Sequence, residues 1–187
     1  SIAYGAGGNG VGIGELLAEK YGFALTNNAV SGSTLVSEEG RGCISDRMLA
    51  NTDEYDYVVF DGGFNDYGLG KPIGALNTGE YPYSSTPTND TVVGALECIF
   101  QHMLINHPRT QMFMFMPHHI NRVWGQQFAG GTWEDYYNAI ISVCARYGVP
   151  MIDISKDGRM CTNFAAIKAY TANSDGIHPT KEGYEIF

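Results

Sequence analysis

The sequence predicts an α/β fold with a mainly parallel sheet. Two observations carry the prediction: short apolar runs alternate with longer segments of helical period, and polar or glycine-rich turn residues follow each run. A third agrees with them, because the motifs that bear chemistry fall just after predicted strands, at the carboxyl edge where open α/β sheets bind ligands. At 187 residues the chain fits one domain, 1–187, long enough to bury a substantial core.

The elements follow in order. Ile13, Leu16, Leu17 and Tyr21 share one face of a helix. "FALTNNAV" (23–30) reads as a strand and "YDYVVFDGG" (55–63) as a buried one. From Tyr67 to Thr91 the chain is rich in Gly, Pro, Ser and Thr without a clear period, and an irregular segment of that length reads as an excursion over the site or as a plain surface loop. Val92, Leu96, Ile99 and Met103 then define a second helix, with Asn89 and Asp90 as cap candidates. "QMFMFMP" (111–117) is a strand. Thr132 followed by Asp135 resembles a capping box ahead of a helix carrying Tyr137, Ile140, Ile141 and Cys144. "VPMIDIS" (149–155) is the last strand, and Pro179 opens a terminal helix of barely two turns, where a longer closing helix is expected.

Composition narrows the functional classes. Hydrophobic residues make up 44% and charged residues 17%, a globular balance, and the formal net charge of -9 argues against nucleic acid or an anionic membrane as the main partner. A small neutral molecule fits better. Cys43, Cys98, Cys144 and Cys161 lie far apart with no zinc-type spacing, and Cys98 and Cys144 fall on apolar helix faces as small core residues. Spacing does not establish disulfides. No apolar run approaches the ~20 residues needed to span a membrane.

Four short motifs carry the chemistry. In "SIAYGAG" Ser1 precedes a glycine-rich turn into a helix, so that its backbone N–H and the helix start face a developing anion. In "NNAVSGST" Gly32 lets the backbone approach a substrate, or is a turn glycine. In "FDGGFNDYG" the Asn65 amide can donate to an oxyanion, or Asn65 and Asp66 form an Asx-turn. In "SDGIHP" Asp175 can reach the Nδ1–H of His178, leaving Nε2 free to take a proton from a serine; the alternative is a surface pair without a task.

Together these motifs resemble the SGNH hydrolases, also called the GDSL esterase/lipase family. Ser1 in "SIAYG" matches the end of the Gly-Asp-Ser block, Gly32 the second block, "GFND" (63–66) the Gly-x-Asn-Asp block and "DGIH" (175–178) the Asp-x-x-His block, all in the family's order. The resemblance implies a flavodoxin-like three-layer α/β/α sandwich with a mainly parallel five-stranded sheet. It also implies Ser1 as nucleophile, His178 as general base and Asp175 as its orienter. The oxyanion hole would combine the backbone N–H groups of Ser1 and Gly32 with the Asn65 amide. The implied reaction is ester hydrolysis through an acyl-serine, with no metal or organic cofactor. The family's Gly-Asp dipeptide and first strand do not precede Ser1 here, so an upstream segment ending in Gly-Asp is expected; an N-terminal-nucleophile mechanism is the alternative and would leave Asp175 and His178 without a purpose.

Selectivity is expected from the loops after the strands. His118, His119 and Trp124 in "MPHHINRVW" are rim candidates, His118 or His119 for a hydroxylated group, and Tyr67 is a candidate to line the acyl or alcohol pocket; ordinary loop roles are the alternative. Trp124, Trp133 and the Tyr81/Tyr83 pair offer faces for a sugar ring, or simply pack. No continuous apolar lid of the kind used at an oil surface is visible, so a small acyl group such as a carbohydrate O-acetyl is favoured, with medium-chain lysophospholipid or thioester hydrolysis left open. Two competing readings remain: a non-catalytic carbohydrate- or cell-surface-binding module on the same scaffold, and a flavin or nucleotide binder, since Gly5, Gly7 and Gly10 have G-x-G-x-x-G spacing.

Overall fold

The computed structural model describes residues 2–40, 42–77, 79, 86–117, 126–156 and 168–186. They form helices α1 (Ile13–Tyr21), α2 (Ile44–Leu49), α3 (Phe64–Gly68), α4 (Val92–Asn106), α5 (Trp133–Tyr147) and α6 (Lys181–Ile186), with strands β1 (Tyr57–Asp61), β2 (Gln111–Met116), β3 (Gln127–Phe128), β4 (Gly131–Thr132) and β5 (Met151–Asp153). The chain divides into two compact units, one of Ser1–Gly32, Met116–Trp124 and Asp153–Phe187, the other of Ser33–Phe115 and Gly125–Ile152.

The second unit holds the sheet, in the order β1-β2-β5, with β1 and β2 parallel in the register Tyr57 to Gln111 and Asp61 to Phe115. Parallel neighbours need a crossover, and α4 supplies it. Its apolar face buries Val92, Leu96, Ile99 and Met103 as the periodicity requires, and Phe100 packs against Phe60 of β1 with ring centroids 6.0 Å apart. The helix is capped by Thr91, whose Oγ1 accepts the Gly94 N–H, and not by Asn89 or Asp90. Asn89 instead donates to Asp46 at the N-terminal turn of α2. The expected capping box of α5 is present: Thr132 Oγ1 accepts the Asp135 N–H and Asp135 Oδ2 accepts the Thr132 N–H.

Three further expectations are corrected. β1 is not buried throughout: Phe60 is inside, but Tyr57 is 71% exposed and Val59 54% exposed, because only one face of the strand meets α4. Phe23–Val30 forms no strand, so the sheet has three strands among the described residues where the sequence predicts four within the chain. A strand needs a ladder partner for its backbone, and Asn27 instead accepts the Ala29 N–H locally and donates to the Ala3 carbonyl 24 residues away. Trp133, offered as a sugar platform, is instead 2% exposed and packs edge-on against Phe64.

The excursion after α3 is tied down where it is described. Lys71 N–H donates to the Asp66 carbonyl, the Pro72 and Ile73 carbonyls accept the N–H groups of Val92 and Val93, and the Tyr136 hydroxyl donates to the Lys71 carbonyl. The Glu97 carboxylate, buried on α4, accepts the Asn77 N–H. In the first unit, α1 packs on α6, but none of its residues is fully buried, and of the expected inner face Leu17 is 40% and Tyr21 66% exposed.

Candidate active site

The Asp-x-x-His pair is built by its own loop. Thr171 and Pro179 form an antiparallel bridge, Ala172 N–H donates to the His178 carbonyl, and the buried Thr171 hydroxyl accepts the Gly176 N–H at 2.9 Å. Asn173 and Ser174 both hold positive φ, 53° and 56°, a conformation uncommon for residues with a Cβ. Such strain persists only where surrounding contacts over-determine it. Its result here is that the carboxylate of Asp175 turns back over the loop: Oδ1 accepts the N–H groups of Ile177 and His178 at 2.7 and 2.9 Å, and Oδ2 meets His178 Nδ1 at 2.7 Å. Burial works against the charged carboxylate, but the two backbone donors and the imidazole outweigh it and hold its pKa below the ordinary value. With Nδ1 engaged and the imidazole 35% exposed, Nε2 is the nitrogen left for proton transfer.

The second constellation stands in the other unit, where β1 runs through Gly62 and Gly63 into α3. Gly63 has φ 101° and its absent side chain leaves room for Ile140, which would lie 2.7 Å from a Cβ. That tight turn places Asn65 and Asp66 in the first turn of α3. Asn65 Nδ2 donates to the Ser33 carbonyl at 2.8 Å, so the amide is fixed against the residue that follows Gly32 and keeps a second N–H for another acceptor. Gly32 itself has φ 79°.

Asp66 is the residue whose part the sequence does not disclose. It is fully buried, and its carboxylate accepts the N–H groups of Leu35 and Val36 over distances of 2.9 to 3.1 Å. Burial raises its pKa in spite of these donors and of Lys71 nearby. Tyr67, expected to line a pocket, is 1% exposed: its hydroxyl donates to the Gln126 carbonyl and its ring meets Phe64, Phe128, Trp133 and Tyr136.

The structure thus joins Asp175 to His178 in one unit and Asn65 to the Ser33–Val36 turn in the other. Ser1, His118, His119, Trp124, Tyr81, Tyr83 and Cys161 lie outside the described residues. Cys43, Cys98 and Cys144 are free thiols, with Cys43 and Cys144 buried. Among the described residues no group of His, Cys, Asp and Glu could hold a metal ion, and no helix is long and apolar enough to cross a membrane.

Comparison with known proteins places the fold and the family. The chain is similar to a solved protein from Lactobacillus plantarum, with 26% identity and a TM-score of 0.80 over 100% of this chain and 88% of that one. It also resembles a possible lipase from Chitinophaga pinensis, at 20% identity and TM-score 0.61 over 78% of this chain and 58% of that one. A candidate GDSL-like lipase from Bacteroides ovatus has 19% identity and TM-score 0.54, over 74% of this chain and 62% of that one. Among curated proteins, none matches. The fold is the flavodoxin-like α/β fold. The sequence profile of the GDSL-like Lipase/Acylhydrolase family matches residues 1–186, and the chain therefore belongs to that family of hydrolases.

Proposed function

We propose that the protein is a serine esterase that removes a small acyl group, with a carbohydrate O-acetyl ester as the favoured substrate. The observation that carries the reading is the Asp175–His178 pair, in which a carboxylate held by two backbone N–H groups meets Nδ1 at 2.7 Å. A pair so constrained fixes the tautomer that leaves Nε2 as a base. In this reading one domain, 1–187, carries Ser1 as nucleophile. His178 takes the Ser1 hydroxyl proton as Oγ attacks the ester carbonyl, and the oxyanion is met by the N–H groups of Ser1 and Gly32 and by the Asn65 amide. Collapse expels the alcohol, which receives the proton from His178, and water then repeats the sequence on the acyl-serine. No metal takes part. His118, His119 and Trp124 are assigned to the rim of the site. Tyr67 is assigned to the support of α3, because its hydroxyl is already engaged by Gln126.

Initial rates on p-nitrophenyl acetate, butyrate and octanoate, beside the Ser1→Ala variant, test the proposal. Turnover that is fastest on acetate and abolished in the variant is the expected result, and acetylated sugars are the next substrates to screen. A folded protein inert on all three esters and unlabelled by a fluorophosphonate would overturn it in favour of a binding module.

A further inference from the structure

The glycine-rich stretch from Gly5 to Gly12 has no part in the mechanism above, and its spacing resembles a phosphate-binding fingerprint. The structure gives it a different use. The turn is closed on itself: Gly5 N–H donates to the Ile2 carbonyl, the N–H groups of Gly8 and Gly10 both reach the Gly5 carbonyl, and Val11 N–H donates to Gly8. On this rigid turn rests the loop that carries the general base. A Cβ built on Gly7, whose φ is 87°, would sit 2.5 Å from the Pro179 carbonyl oxygen and 2.8 Å from that of His178. One residue before, the Ala6 carbonyl accepts the Tyr184 hydroxyl at 3.0 Å; one residue after, the Tyr184 ring lies 3.2 Å from where a Gly8 Cβ would be. From Ala6 to Gly8 the turn is covered by backbone and an aromatic ring of the same unit, while nothing lies within 4 Å of a Cβ at Gly10.

We infer that this turn is the seat of the His178 loop, and that Gly7 and Tyr184 are positioning residues that set the height of His178 against the segment beginning at Ser1. The inference rests on the proposed esterase mechanism. Any side chain at Gly7 pushes on the carbonyl of His178 itself, which also accepts the Ala172 N–H at 2.8 Å, so the displacement passes into the loop that aims the imidazole. A shift of about 1 Å in a reacting group costs on the order of 10²-fold in rate. Tyr184 acts more gently, since Tyr184→Phe keeps the ring on Gly8 and removes one hydrogen bond.

The test uses Gly7→Ala and Tyr184→Phe, each quantified by fluorophosphonate titration of competent sites before p-nitrophenyl acetate turnover is measured. Expected are a kcat per titrated site lowered about 10²-fold in Gly7→Ala and a few-fold in Tyr184→Phe, with KM within about 3-fold of wild type in both. If the glycine matters only for folding, the titrated fraction falls and kcat per site stays at the wild-type value, which overturns the inference and leaves the esterase reading standing. A wild-type protein that neither turns over ester nor takes the label overturns both.

Discussion

Asp66→Ala should be among the most destabilising single changes available in the second unit. The carboxylate is fully buried and accepts the N–H groups of Leu35 and Val36, themselves 0% and 3% exposed. A buried donor left without an acceptor costs about 1–3 kcal/mol, so two cost about 2–6 kcal/mol. Relief of the burial penalty on the charge returns part of that, which leaves about 3 kcal/mol, or about 6–12 °C in Tm for a chain of this size. Asp66→Asn is milder: one oxygen can still serve both donors as Oδ1 does, but the amide nitrogen faces the Leu35 N–H where Oδ2 accepts it at 2.9 Å. The pH dependence fixes the sign. Because the folded pKa is raised above the ordinary value of 3.8, the native state binds the proton more tightly than the unfolded chain, and that contribution to stability is full below 3.8 and lost as pH rises through the folded value. The deficit of Asp66→Asn relative to wild type should therefore be smallest at neutral pH and grow toward pH 4. Urea unfolding of wild type and both variants at pH 7 and near pH 4 measures it. Asp66→Ala within about 0.5 kcal/mol of wild type at both pH values would refute the reasoning.

Other substitutions read other parts of the design. Gly63→Ala forces a Cβ into a φ of 101° and against Ile140, so we expect about 2–4 kcal/mol from strain and overpacking, measured by the same urea titration. Asp175→Asn keeps an oxygen for the Ile177 and His178 N–H groups but presents an amide nitrogen to Nδ1, favouring the wrong tautomer; kcat on p-nitrophenyl acetate should fall about 10³–10⁴-fold. Since the folded pKa of Asp175 is depressed, wild type should also hold stability above about pH 3.8 that disappears as pH falls through the lower folded value, while Asp175→Asn shows no such loss in acid unfolding curves.

How much of this was legible follows from the distance over which each feature is decided. The capping box at Thr132 and Asp135, the inward face of α4 and the Asp175–His178 pair are settled within a few residues, and the pattern predicts all three. Phe23–Val30 has apolar residues on both sides of Thr26–Asn28, but a strand is a property of its neighbours, and Asn27 bonds instead to Ala29 and, 24 residues away, to Ala3. The cap of α4 was misplaced because Asn89, Asp90 and Thr91 are all competent, and what distinguishes Thr91 is its bond to Gly94 while Asn89 is drawn off to Asp46, 43 residues away. Tyr67 looked like a pocket residue from its place beside "FND", yet its hydroxyl has an acceptor 59 residues downstream.

Within the Gly-x-Asn-Asp block at 63–66, Asn65 and Asp66 are bound in different ways. Asn65 can aim an amide only if the turn it bonds to is itself fixed, and that turn is fixed by the adjacent Asp66 through two backbone donors. The choice of a carboxylate has a cost, because burial disfavours its charge. Its oxygens are turned onto the Leu35 and Val36 N–H groups, and Lys71, itself paired with Glu38 at 3.2 Å, adds a small further offset, but burial still prevails. A neutral amide would avoid the burial penalty and could meet both N–H groups with one oxygen as Oδ1 does, but only a carboxylate brings a second oxygen to the Leu35 N–H. The requirement that the turn be held from one point thus decides the residue, and electrostatics is accommodated around it.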